Sequence, residues 1–145
     1  MRSIRIDLPA FAMGLALVML PLQAGFAGDL HKLAIHVDRD DAVTQRLAVN
    51  NATKAWELLQ PDVAIEVVTY GPGIALVTEG GKQEQAVIDL MQNKGVKFHL
   101  CEVTVRKKTK KLGKKPDLID GVNIVPSGTV KLMELQEDGF SYLKP

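Results

Sequence analysis

The chain has one cysteine in 145 residues. No intramolecular disulfide can therefore staple it, and the thiol is free, modified or paired with another chain. Excess charge of one sign is also missing, with 18 Lys and Arg against 17 Asp and Glu. A balance of that kind argues against a nucleic-acid binder. The sequence contains no zinc-ligand spacing, Walker-type phosphate loop or serine-hydrolase elbow, so no metal or cofactor is expected and a conventional enzyme is hard to defend. His31 and His36 suggest no metal pair, and Asp38, Asp40 and Asp41 read as loop and helix-capping acids.

A hydrophobic run long enough to span a bilayer is absent too. The longest, residues 8–22, is interrupted by Pro9 and Pro21 and falls short of the roughly 20 residues a spanning helix needs. With Arg2 and Arg5 before it and Gly25 and Ala27 after it, the run reads as a secretory signal peptide, residues 1–27, cleaved after Ala27. Asp7 is the one residue out of keeping with it. The expectation is a periplasmic or secreted protein beginning at Gly28, with no integral membrane segment after cleavage. Residues 28–145 are the size of one domain with its own core.

What is present alternates. "KLAIHV" (32–37) and "VAIEVVTY" (63–70) are β-branched runs bounded by breakers, as buried strands are. Between them residues 42–60 read as a helix. At 100° per residue, Val43, Leu47, Ala48, Ala52, Ala55, Leu58 and Leu59 share one broad arc, opposite Arg46, Thr53, Glu57 and Gln60. A second helical pattern, "KQEQAVIDLMQNKG", stops at Gly95. Then come "VKFHLC", a helix start after Cys101, the strand "GVNIVP", a helix over residues 128–137 and the terminal "GFSYLKP". The order βαβαβαβαβ predicts a mostly parallel sheet covered on both faces, a three-layer α/β/α sandwich. In such folds ligands meet the carboxyl ends of the strands, which here carry "DRDD", "YGPG", "CE" and "PSG".

Cys101 thus ends the third strand where a helix begins, a position that favours a thiolate. Arg106, Lys107, Lys108, Lys110, Lys111, Lys114 and Lys115 follow and are expected to lower its pKa further if they lie close. Against this stands the simpler reading of a free cysteine as a small buried hydrophobe. The lysine run is itself either a solvated loop, favoured by Gly113 and Pro116, or an electropositive rim for anionic sulfur compounds, or a contact patch for an acidic partner or membrane surface. His99 alternates with Cys101, which puts both side chains on one face of the strand and makes a thiolate–imidazolium pair conceivable. Gly71 and Gly73 flank Pro72 in a tight turn whose N–H groups are candidates to face the site. Ser127 is a helix N-cap and a candidate pocket residue. Asn51, inside the apolar arc of the first helix, needs a polar partner.

Taken in order, "NNATKAWELL", "TYGPGI", "GVKFHLCEVTV" and "DLIDGVNIVPSGTVKLMELQEDGFSYLKP" resemble the DsrE/DsrF-like family of small α/β proteins, from about residue 31 to residue 145. The resemblance implies a five-stranded parallel sheet in order 4-3-2-1-5. It also implies a homotrimer or homohexamer, and a sulfur-relay role in which the cysteine matching Cys101 carries sulfane sulfur as a persulfide between a donor and an acceptor protein. Two features depart from the pattern: the well-studied relays are cytoplasmic, and "RKKTKKLGKK" is not a recognised family feature. The alternative is an oligomeric binding or structural module that kept the fold without the chemistry.

Overall fold

Strands buried on both faces read as continuous apolar runs, and two such runs form the centre of the sheet. In the computed structural model, which describes residues 30–145, β1 (His31–Val37) pairs in parallel with β2 (Val63–Thr69), Leu33 opposite Ile65 and Ile35 opposite Val67. The expected leader, residues 1–27, lies outside the described residues. β3 (Lys97–Cys101) adds to β2, β4 (Asn123–Val125) adds to β3, and β5 (Ser141–Leu143) lies on the far side of β1. All pairings are parallel and the order is β4-β3-β2-β1-β5, as the family resemblance implies.

That order dictates where the helices go. β1 to β4 step in one direction across the sheet, so right-handed crossovers put α1 (Ala42–Leu59), α2 (Glu84–Lys94) and α3 (Glu102–Leu112) on one face. The last crossover runs back from β4 to β5 and leaves α4 (Gly128–Glu137) alone on the other. Packing follows suit. Ile35, Val37, Val67, Phe98 and Leu100 meet Ala48, Val49, Val87, Leu90 and Val105 in the main core. Ala34 and Val68 meet Leu132 and Leu135 in a smaller one, flanked by Tyr70 and Phe140.

The thinly covered face also carries polar residues. Glu66, buried beneath α4, lies 2.7 Å from His99 Nε2 and receives Lys131 Nζ at 3.3 Å and Lys97 Nζ at 3.4 Å. Buried charge is tolerated where it is paired and hydrogen-bonded in this way. Burial works against the Glu66 carboxylate, but His99 and Lys131 outweigh it and hold its pKa below the ordinary value.

The arc expected of α1 is rotated. Val43, Leu47 and Leu58 are 54%, 40% and 74% exposed, whereas Thr44, Gln45, Ala48, Val49 and Ala52 are buried. The apolar arc is broad and extends to Val49 and Trp56, wider than one packing face requires, so periodicity alone does not set its phase. The Asp41 cap, accepting from Val43 and Thr44 N–H, and the close approach that Ala48 and Ala52 permit settle which side meets the sheet. Asn51 sits half-buried at the border of that face. A further element had no counterpart in the periodicity: a 3-10 turn, Gly71–Val77, which joins β2 to the segment before α2.

Candidate functional site

Cys101 is the last residue of β3 and the N-cap of α3. Its backbone is extended (φ −64°, ψ 122°), so the side chain turns toward the first N–H groups of the helix it begins. No regular cap hydrogen bond closes onto it. Burial pushes the thiol up, but the backbone N–H groups of Gly128, Thr104 and Val103 and the Thr104 hydroxyl together hold its pKa below the ordinary value. Two helix N-termini therefore converge on one sulfur: α3 supplies Val103 and Thr104, and α4 supplies Gly128 from across the sheet.

Glycine is required at 128. A Cβ there would stand 2.7 Å from Tyr70 Cδ1 and 3.3 Å from Cys101 Cβ, so only a bare backbone brings this N–H to the sulfur. Thr104 has two partners. Its oxygen accepts the Gly71 N–H at 2.8 Å, which leaves the hydroxyl proton for the sulfur.

These groups line a cavity of about 550 Å³. Tyr70, Pro72, Ile74 and Val103 form apolar walls, Ser127 and Gly128 lie beside the sulfur, and Lys107, Lys108 and Lys111 form one side. Of the sequence candidates, Cys101, Gly71 and Ser127 come together here. Ser127 also caps α4, its Oγ accepting the Val130 N–H at 3.4 Å. Gly73, Asn51 and His99 are not among the lining residues. The turn after Tyr70 offers the sulfur no spare donors, because Gly71 N–H goes to Thr104 and Gly73 N–H to the Tyr70 carbonyl. His99 shares the sheet face of Cys101, yet burial disfavours its charged form and holds its pKa down despite Glu66. The imidazolium of a thiolate pair is thus opposed by its surroundings.

The basic run is helical through Leu112, and Gly113 (φ 75°) caps it. Only Lys114 and Lys115 lie in the loop that Gly113 and Pro116 suggested, because glycine in the left-handed region is itself a common helix stop and here it ends α3 after most of the run. Nor are lysines among the largest influences on the thiol, which are burial, the three backbone donors and the Thr104 hydroxyl. Sequence reasoning missed Thr104 and Gly128. A threonine three residues past a capping cysteine was the available signal for the first; the second needed the sheet.

A second polar group adjoins the cavity through Tyr70. His36 stacks on the Tyr70 ring at 4.6 Å and shares a 2.7 Å hydrogen bond between Nδ1 and the Tyr142 hydroxyl. Asp38 beside it receives Lys144 Nζ at 2.6 Å. Among the described residues no cluster of three His, Cys, Asp or Glu side chains is placed to hold a metal ion, and no helix is long and apolar enough to cross a membrane.

Thr104→Val should test the donor set. Removing a hydrogen bond to a charged group costs about 1.5 kcal/mol at the low end, so alkylation of Cys101 at neutral pH should slow roughly tenfold. The midpoint of the pH–rate profile should rise, and Thr104→Ser should restore both. A rate within twofold of wild type would show that the hydroxyl does not act on the sulfur.

No curated protein matches the chain. Among solved structures, the protein of unknown function MTH1491 from Methanobacterium thermoautotrophicum superposes with a TM-score of 0.71 at 28% identity, covering 79% of this chain and 99% of that one. The sequence profile of the DsrE/DsrF-like family matches residues 31–145, every described strand and helix from β1 to β5, and the chain belongs to that family.

Proposed function

We propose that the protein is an exported sulfur carrier that holds sulfane sulfur as a persulfide on Cys101. The observation that carries this reading is the place of the Cys101 thiol, at the N-cap of α3, against Gly128 at the start of α4 and at the wall of a cavity. Helix starts arranged in this way stabilise a thiolate before reaction and the terminal sulfur anion after it. Membership of a family whose characterised members are sulfur relays supports it.

In the transfer step the Cys101 thiolate attacks the outer sulfur of a donor R–S–SH. A new S–S bond forms to Cys101, the donor's S–S bond breaks, and R–S⁻ leaves as a thiolate. The products are Cys101–S–SH and R–S⁻, so charge and atoms balance, and an acceptor thiolate removes the sulfur by the same step in reverse. The small exposure of Cys101, 7%, favours the second reading, a binding or structural module in which the cysteine is merely packed.

Intact mass after treatment with inorganic polysulfide separates the two. The carrier gains one sulfur atom, lost on reduction and absent from a Cys101→Ser control. An unmodified thiol that also resists alkylation at every pH would reject the carrier. Export rests on the N-terminal pattern of Arg2, Arg5, the apolar run and Ala27; N-terminal sequencing should find Gly28 first, and a cytosolic product beginning at Met1 would overturn it. Self-assembly into a trimer or hexamer is supported by α4, which buries Leu132 and Leu135 on one side and exposes Val130 and Met133 on the other. Light scattering showing a monomer at micromolar concentration would refute it.

A further inference from the structure

A persulfide sulfur occupies little space, yet the cavity beside Cys101 measures about 550 Å³, within the roughly 300–1,000 Å³ of small-molecule sites. Its walls and charge indicate what else it takes. On α3, residues 104, 107, 108 and 111 stand at helical spacing and share one face, and that face is the side of the cavity formed by Thr104, Lys107, Lys108 and Lys111. The remaining cations of the run are not among the lining residues. Arg106 pairs with Glu102 at 3.3 Å and Lys114 with Asp117 at 3.2 Å. Among the described residues, no carboxylate pairs with the three lysines that line the cavity. The one acid at the cavity, Asp40, accepts from Gln45 Nε2 at 3.1 Å and leaves a surplus of two positive charges.

Spacing narrows the ligand further. At about 1.5 Å rise per residue, Lys108 and Lys111 stand roughly 10 and 15 Å along the helix from the cysteine. Even with side chains that lean back toward the helix start, ammonium groups on these successive turns meet carboxylates set apart from the reacting sulfur, as on a ligand larger than free cysteine. The apolar wall of Tyr70, Pro72, Ile74 and Val103 suits the chain between.

We infer that the cavity binds a low-molecular-weight organic thiol or its persulfide, of tripeptide size and carrying two or more carboxylates, with its sulfur at Cys101 and its carboxylates on Lys107, Lys108 and Lys111. This rests on the carrier reading for the chemistry, but the binding is measurable without it. The ligand supplies the R–S–SH of the transfer step and departs as R–S⁻.

The test is titration calorimetry of purified Cys101→Ser protein with S-methylglutathione, which has two carboxylates and no transferable sulfur. Saturable binding is expected, at least tenfold weaker for the dimethyl ester of the probe and at least tenfold weaker in a Lys108→Ala/Lys111→Ala variant. Because the lysines are solvent-exposed, these substitutions should leave the melting temperature unchanged, and added salt should weaken binding by screening. Equal affinity for acid and ester, or no binding while wild-type protein still gains sulfur from inorganic polysulfide, would overturn the inference and leave the carrier reading standing. Acid-selective binding by a protein that takes up no sulfur would support the site and reject the carrier.

Discussion

Gly73→Ala is expected to destabilise the protein by about 3 kcal/mol or more, the upper part of the range for overpacking a filled interior. A Cβ at 73 would stand 2.1 Å from the Val37 carbonyl oxygen, 2.7 Å from its carbon and 3.1 Å from Asp38 Cα. All three are backbone atoms, so no side chain can swing aside. Val37 cannot retreat cheaply either, because it lies in register with Thr69 and its carbonyl accepts the Tyr70 N–H at 3.2 Å. Each kcal/mol moves the melting temperature of a small domain by several degrees, so a fall of roughly 10 °C or more is expected. Gly71→Ala is the contrasting case. Nothing lies within 4 Å of its added Cβ, and only the positive φ of 54° is strained, a cost of about 1–2 kcal/mol. If Gly73→Ala unfolds within about 1 kcal/mol of wild type in denaturant, the close approach of the turn to β1 is not as described.

Acidification should also begin to destabilise the protein above the pH at which carboxylates titrate. His36 and His99 are buried, and both have pKa values held below the ordinary one. For His36 burial acts first and Lys144 adds to it, against Asp38. For His99 burial acts first, with Lys131 and Lys97 adding to it and Glu66 opposing. The unfolded chain thus takes up protons at its normal histidine value of about 6.5, while the native state does not until a lower pH. Unfolding free energy therefore rises with pH across that window, and each histidine contributes up to about 1.4 kcal/mol per unit as pH falls below 6.5. Glu66 adds a separate loss, its depressed pKa giving stability that disappears only below the ordinary carboxylate range, as pH falls through the folded value. Urea unfolding at pH 7.5, 6.5 and 5.5 should show a falling midpoint, with a shallower fall in His99→Gln. Stability that is flat or increasing from 7.5 to 5.5 would contradict this assignment of neutral histidines.

Element order, the parallel sheet and Cys101 at a strand-to-helix junction were all legible in the sequence, because each rests on local signals. β-branched runs, helical spacing and the stop at Gly95 report on the residues that carry them. The strand order 4-3-2-1-5 came through the family resemblance and not through periodicity, which says nothing of which strand neighbours which. Tertiary structure alone decided the rest. It turned α1 so that Val43, Leu47 and Leu58 face outward, since a helix whose apolar arc is broader than one packing face takes its phase from what it packs against. It brought the Gly128 N–H to a sulfur 27 residues earlier in the chain. It set Lys107, Lys108 and Lys111 of one basic run on a cavity and paired Arg106 and Lys114 of the same run elsewhere. Those outcomes depend on which backbone atoms and charges lie near one another across the sheet, and distances of that kind arise only when the chain closes on itself.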